Sequence, residues 1–401
     1  MRVTKSISSH RDRISIQLIF VSVLIGLCYQ SSVSLISNSQ SFLLVILSIL
    51  TGYLGCLSFI LNHRLPTISR VFLFIVVYLF LIGLSYGSFF NKEFLTIALV
   101  QDFRYVMYFI SGCIFAYSDE NMASFHSIMK VLSVISIPLG IYALVSFDYL
   151  DVSIETREST WSLSYMLWWA AGSCWVYWAY YALFMRKDYP YAIGPTLFYI
   201  VLGLLFLKRE VLAYSGIILM VYLFFNGRNI GRSFKTIIAL IALFLVVYYF
   251  NPNLFGRVYD LIMNRFNEVD NLAELDRSVE AADYLNEASV KQLLLGNGIG
   301  YYHQFKDVNL ASSRGLLNAL HLGYINVLYK GGVVFSLYYI VIFIIIIKKM
   351  FSKNLSPYMK VCLGSSLSYF ISLLYAGSWT YTIASFSIAA PLFYALSRVN
   401  K

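Results

Sequence analysis

The sequence predicts an all-α, polytopic integral membrane protein of about 12 transmembrane helices, and three observations predict it. Hydrophobic residues make up 59% of the chain and charged residues only 12%, about half the charged share of a soluble domain. Apolar stretches of about 17–25 residues, enough to cross a bilayer as helices, follow one another along the chain. A single polar segment, 251–318, interrupts the second half.

The spans are expected near 14–30, 40–61, 71–90, 99–117, 128–147, 163–184, 193–208, 211–226, 236–250, 328–347, 359–376 and 380–397. The first is followed by the polar run QSSVSLISNSQ and another apolar stretch, so it reads as a span that is itself the targeting signal. The chain forms one polytopic domain, with residues 251–318 as a large loop between spans 9 and 10. The pair around Lys208-Arg209-Glu210 is the tightest connection, and one long broken helix there is the alternative.

The formal charge of +10 suggests nucleic acid until its distribution is considered. With the N-terminus inside, the inner segments hold 18 of the 30 basic residues and 4 of the 20 acidic ones. Short loops rich in Lys and Arg stay cytoplasmic, so both termini are expected there. The large loop carries 6 basic and 9 acidic residues and is no polyanion-binding arm. Cys28, Cys56, Cys113, Cys174 and Cys362 all fall in apolar stretches, which argues against a disulfide framework or a thiolate metal site.

A few polar residues stand out from this apolar background. Arg209 lies between two spans on the non-cytoplasmic side, where an ionisable group is costly and faces a cavity or a partner; a local pair with Glu210 is the plainer alternative. Arg104 stands near the outer end of the fourth span, two residues after Asp102, a spacing that does not pair on a helix. In the loop, Leu272, Leu275, Val279, Ala282 and Leu285 recur at helical spacing. They predict an amphipathic helix whose other face carries Glu274, Arg277, Glu280 and Asp283. A solvated salt-bridge face is the plainer account of Arg277.

Gly296, Gly298 and Gly300 alternate in LLLGNGIGYY. They specify either a tight turn or a cradle of backbone amides for phosphate. The run is not a dinucleotide fingerprint, because the third glycine comes one position early. His321 opens HLGYINVLYKGG, just ahead of the apolar run Gly331–Ile347. The helix there is expected to project outward, with His321 above the bilayer and Lys330 near its surface. An imidazole so placed can act as base or donor. No second ligand stands at metal-binding spacing, so no metal is expected.

The order of these features resembles the bacterial O-antigen polymerase and ligase superfamily: an outward arginine between mid-chain spans, a loop arginine, a GxGxG run, then His-x-x-Tyr and a glycine pair. The likeness is best from Leu207 to Val334. Residue by residue, Arg209 matches the mid-chain arginine and Arg277 the loop arginine, while His321 and Tyr324 match the last element. Leu322 stands where the family has asparagine, and Lys208 precedes the mid-chain arginine where a small residue is common.

The resemblance implies a membrane glycosyltransferase of GT-C-like architecture in the bacterial inner membrane, with the large loop periplasmic, in lipopolysaccharide biosynthesis. It implies an undecaprenyl-diphosphate-linked oligosaccharide as substrate, membrane lipid around it, a flippase and a chain-length regulator as partners, and no cofactor. His321, Arg277 and Arg209 would be catalytic. Lys208, Arg104, Gly296, Gly298, Gly300 and Tyr324 would bind substrate. A ligase acting on lipid A core is the alternative within the superfamily, and a flippase or transporter the alternative outside it.

Overall fold

A computed structural model describes residues 10–32, 38–85, 95–146, 175–185, 190–191, 196, 209–226, 273–301, 303–304, 316–317, 320, 322–352, 354–374 and 384–398. The architecture is helical. In chain order the long helices are α1 (His10–Ser32), α2 (Asn38–Asn62), α3 (Thr67–Ser85), α4 (Leu95–Phe115), α5 (Asp119–Ser146) and α6 (Arg209–Asn226). The polar loop contributes α7 (Ala273–Glu287) and α8 (Val290–Leu295), and α9 (Gly323–Met350), α10 (Pro357–Ser372) and α11 (Ala384–Ser397) complete the bundle. Segment 175–185 is also helical. A short antiparallel bridge, β1 (His303–Gln304) with β2 (Leu316–Leu317), lies within the polar loop.

Three of these helices are long and apolar enough to cross a membrane: Leu43–Asn62, Thr67–Ser85 and Gly323–Met350, of 20, 19 and 28 residues. Their outward faces are apolar. Leu43, Leu47, Leu50, Leu54, Leu57 and Leu61 are exposed along α2, and Leu337, Ile340, Val341 and Ile344 along α9. A protein in water rarely shows so continuous an apolar surface. The expected ninth span, 236–250, and all of the seventh, 193–208, except residue 196 lie outside the described residues.

Between helices the contacts are small and polar, as suits a medium in which lipid tails are as apolar as leucine. Ser22 Oγ donates to Ser48 O at 2.6 Å, and Ser48 Oγ returns the bond to Ser22 O at 2.7 Å. They lock α1 antiparallel to α2 where Gly26, Gly52 and Gly55 let the backbones approach. Helix α4 is the hub. Its residues from Asp102 to Ala116 are almost all buried, against α2 on one side and α11 on another, with Gly112 seated on Ala389.

The bundle has two ends. At one, Asp12 meets His63 at 2.7 Å, Arg398 meets Asp119 at 2.6 Å, and Phe224 packs on Phe351 at 5.3 Å. The other end holds α7, α8, the close of α3 and the starts of α4 and α9. Here Gly323 abuts Leu373, and Gly298 abuts Leu79 and Gly83. Segment 175–185 runs parallel to α6, with Trp175 beside Tyr214 at 6.3 Å and Phe184 beside Phe225 at 5.6 Å. Both run from the loop end to the far end.

Helix α9 is two pieces. Gly332 has φ 61° and ψ −161°, so the helix breaks there, leaving a short first piece and a long second one. The reason lies in the neighbouring loop. A side chain at Gly332 would collide with Leu294 O, and one at Gly296 would come within 2.5 Å of Gly331 Cα. Gly298, with φ 77°, lies so close to Gly83 that a methyl group would overlap its amide nitrogen. Gly298→Ala therefore combines backbone strain with a steric clash, and should cost about 1–3 kcal/mol or more. A lower melting temperature for the detergent-purified variant checks this, and an unchanged melt would contradict it.

Candidate functional site

The glycine run is the centre of the loop end. Helix α8 delivers it: Ser289 caps that helix in a reciprocal box with Gln292, and Gly296 N closes it on Gln292 O at 2.7 Å. The next four amides each find a different acceptor. Asn297 N donates to Tyr329 O at 3.0 Å and Gly298 N to Lys330 O at 2.8 Å, both carbonyls at the break of α9. Ile299 N donates to Leu79 O of α3 at 3.2 Å. Gly300 N donates to Asp102 Oδ2 of α4 at 2.9 Å. All five amides from Gly296 to Gly300 are thus spent on protein acceptors. The run docks three helices together and keeps no amide to cradle a phosphate.

The same carboxylate oxygen, Asp102 Oδ2, also accepts from Lys330 Nζ at 2.7 Å. Both side chains are 1% exposed. Lys330, expected near the membrane surface, is buried within the protein, where Asp102 and the glycine run cover it. Asp102 Oδ1 has no hydrogen-bond partner among the described residues, and neither has Asn326 Nδ2, one turn before Lys330 on α9. Asn326 Oδ1 accepts from Leu320 N at 2.9 Å and so shapes the approach to the helix.

Asn297 carries the run's one polar side chain. Its Nδ2 donates to Tyr284 OH at 3.1 Å and Tyr329 O at 2.9 Å, and its Oδ1 accepts from Gln292 Nε2 at 3.0 Å. Tyr284 stands edge-on to Tyr329 at 5.0 Å, and Leu320 closes the cluster. Helix α7 is amphipathic, but with a different face inward than its leucines suggest. Glu280, Ala281 and Tyr284 are buried, whereas Ala282 and Leu285 are exposed. The tyrosine's fit against Asn297 and Tyr329 outweighs the small gain from burying Ala282.

The predicted residues divide into those placed and those not. Arg277 lies on α7, the helix that also carries the buried Glu280, Ala281 and Tyr284. Arg209 is the first residue of α6 and stands at the loop end. Lys208 and His321 lie outside the described residues. The chain on either side of His321 is described, however: Leu320 packs with Tyr284 of α7, and Leu322 is the extended residue just before α9. Tyr324 is half-buried, and its hydroxyl donates to Phe370 O of α10 at 3.0 Å. Arg104 is buried in α4, one turn before Tyr108. Gly296, Gly298 and Gly300 serve the docking described above.

Asp102, Lys330, Asn297 and Asn326 were not singled out as site residues from sequence. A signal existed for the first two: an acid and a base set alone in apolar helices call for a partner. Their separation of 228 residues hides which partner. No protein-family model, curated protein or solved structure matches this chain.

Asn297→Ala should loosen the attachment of α7. It leaves Gln292 and Tyr284 without their buried partner, at a cost of about 1–3 kcal/mol. Hydrogen exchange on the purified protein should show faster exchange in 273–287 than in α4. Equal protection in both would contradict it.

Proposed function

We propose that the chain is an inner-membrane glycosyltransferase of the O-antigen polymerase type, which extends an undecaprenyl-diphosphate-linked glycan at the periplasmic face. One observation carries this reading. The helix bearing Arg277, the chain flanking His321 and the start of α6 at Arg209 all stand at the same end of the bundle, around the docked glycine run.

The reaction asks for little beyond such a cluster. A hydroxyl of the acceptor sugar attacks the anomeric carbon of the donor, and the bond from that carbon to the diphosphate oxygen breaks. Two negative charges then need cations, and the planar fork of arginine suits phosphate oxygens. In this reading Arg209 and Arg277 hold the leaving diphosphate, with Lys208 beside the first. His321 takes the hydroxyl proton. Arg104, buried near the outer end of α4, and Tyr324 help to line the acceptor side. The activated diphosphate supplies the driving force, and the preorganised positive charge lowers the barrier.

The same reading places both termini in the cytoplasm and 251–318 in the periplasm. Alkaline phosphatase fused after Asn267 or Lys306 should be active, and after Arg228 or Lys353 inactive. Activity at Lys353 would break this topology.

The chemistry is tested with purified protein and an undecaprenyl-diphosphate oligosaccharide, without lipid A core. A ladder of longer lipid-linked products is expected. Products only after core is added would make the protein a ligase, and lipid movement without products a transporter. Arg209→Ala and Arg277→Ala should each lower the rate roughly ten- to hundred-fold, the equivalent of about 1.5–3 kcal/mol for a charge-assisted bond. His321→Ala should slow turnover while donor still binds. Full activity in all three would end this assignment.

A further inference from the structure

We propose that Asp102 and Lys330 are a positioning pair that sets where the first piece of α9, and with it the chain at Leu320 and Leu322 on either side of position 321, stands in the bundle. The proposal rests on the glycosyl-transfer reading for its consequence in turnover, but not for its mechanical part.

The argument begins at Gly332. A helix broken at one residue no longer transmits the placement of its second piece to its first. Residues 323–331 must therefore be held by something other than 333–350. Tyr324, Gly323 and Tyr329 pack on neighbouring helices and the loop, and two further contacts fix the piece at Lys330 and the residue before it. The carbonyls of Tyr329 and Lys330 receive the amides of Asn297 and Gly298, and Lys330 Nζ reaches Asp102. One oxygen, Asp102 Oδ2, takes both Lys330 Nζ and Gly300 N. Helix α4, the glycine run and the first piece of α9 thus meet on a single atom.

Stability alone is a poor account of this pair. Two charges with side chains 1% exposed have lost their water. A well-packed apolar pair in their place is often as stable or more so, whereas removing one partner is destabilising. A buried pair contributes directional definition: it is satisfied in one register of α4 against α9 and in no other. That definition extends outward. Lys330 is followed backward along the helix by Asn326, whose Oδ1 holds Leu320 N, the amide just before His321. Asn297, two residues into the run, reaches Tyr284 on the helix of Arg277. Asp102 and Lys330 touch no reacting atom in this account; they act through the segments they hold.

The test combines accessibility with kinetics. Ile299, 2% exposed in the middle of the run, is replaced by cysteine in a background with Cys28 and Cys174 changed to serine. A membrane-impermeant maleimide then reports whether the run is docked. In Asp102→Asn and Lys330→Met, labelling should accelerate by at least about tenfold, because an unpaired buried charge opens its surroundings. The double variant Asp102→Asn/Lys330→Met carries no charge to leave unpaired and keeps an acceptor for Gly300. It should melt within a few degrees of the parent, yet lose at least about tenfold in kcat with donor KM little changed, since positioning is felt in the transition state. If the single variants do not fold, the double variant decides. Parental kcat in a double variant that melts normally would overturn the proposal, as would unchanged labelling in every folded variant. A parent protein that makes no product at all would instead sink the glycosyl-transfer reading, and labelling alone would then decide the pair.

Discussion

Five consecutive backbone amides organise one end of this protein. In a bilayer an unmet N–H or C=O costs several kcal/mol, so irregular backbone survives at depth only where other groups satisfy it. The run from Gly296 to Gly300 and the break at Gly332 answer each other. The run presents amides where α9 has carbonyls to be met, and the glycines on both sides remove the side chains that would keep the backbones apart. Neither half is tenable alone: the break leaves α9 carbonyls at a kink, and the run leaves amides in an apolar setting. Helices α3 and α4 join through Leu79 and Asp102, so that most of the loop end is built on this one docking.

The positions of the helices were legible because hydropathy is a local property. Spans expected at 14–30, 40–61, 359–376 and 380–397 correspond to α1, α2, α10 and α11 with ends shifted by a few residues. The tenth ran longer than expected, 323–350, because its outer piece is covered by the loop and so need not be apolar. What was not legible is pairwise. Lys330 shows no partner in its own stretch of sequence, because the carboxylate that holds it stands 228 residues away. Helix α7 shows how a correct element can carry a wrong face. Its leucines mark a period, but its packing follows Tyr284, one aromatic ring whose burial area and hydroxyl bond exceed what Ala282 offers.

The glycine alternation was ambiguous for a related reason. Positive φ at every second residue points successive amides in different directions, and that geometry suits a cradle for an anion or a socket for several carbonyls equally. Sequence specifies the backbone shape; the neighbours specify its use. Here the neighbours are helix carbonyls and a carboxylate, and an anion has no place among them. Any role the run has in handling a diphosphate is therefore indirect, through the helices it positions.

The distribution of polar groups along α4 bears on the class of protein. Asp102 and Arg104 are buried toward the end at which the glycine run docks. One turn inward Tyr105 forms a ring of hydroxyls with Tyr339 and Tyr369, at 3.0, 3.3 and 3.2 Å. Beyond that come Phe109, Cys113 and Phe115, packed on α11 and α3. The charges thus stand toward one end of the helix, while smaller polar groups, the buried Ser111 hydroxyl and the Cys113 thiol, continue along it. In the proposed glycosyl-transfer reading, the charged end of this helix faces the lipid-borne diphosphate while the polyprenyl tail stays among apolar side chains.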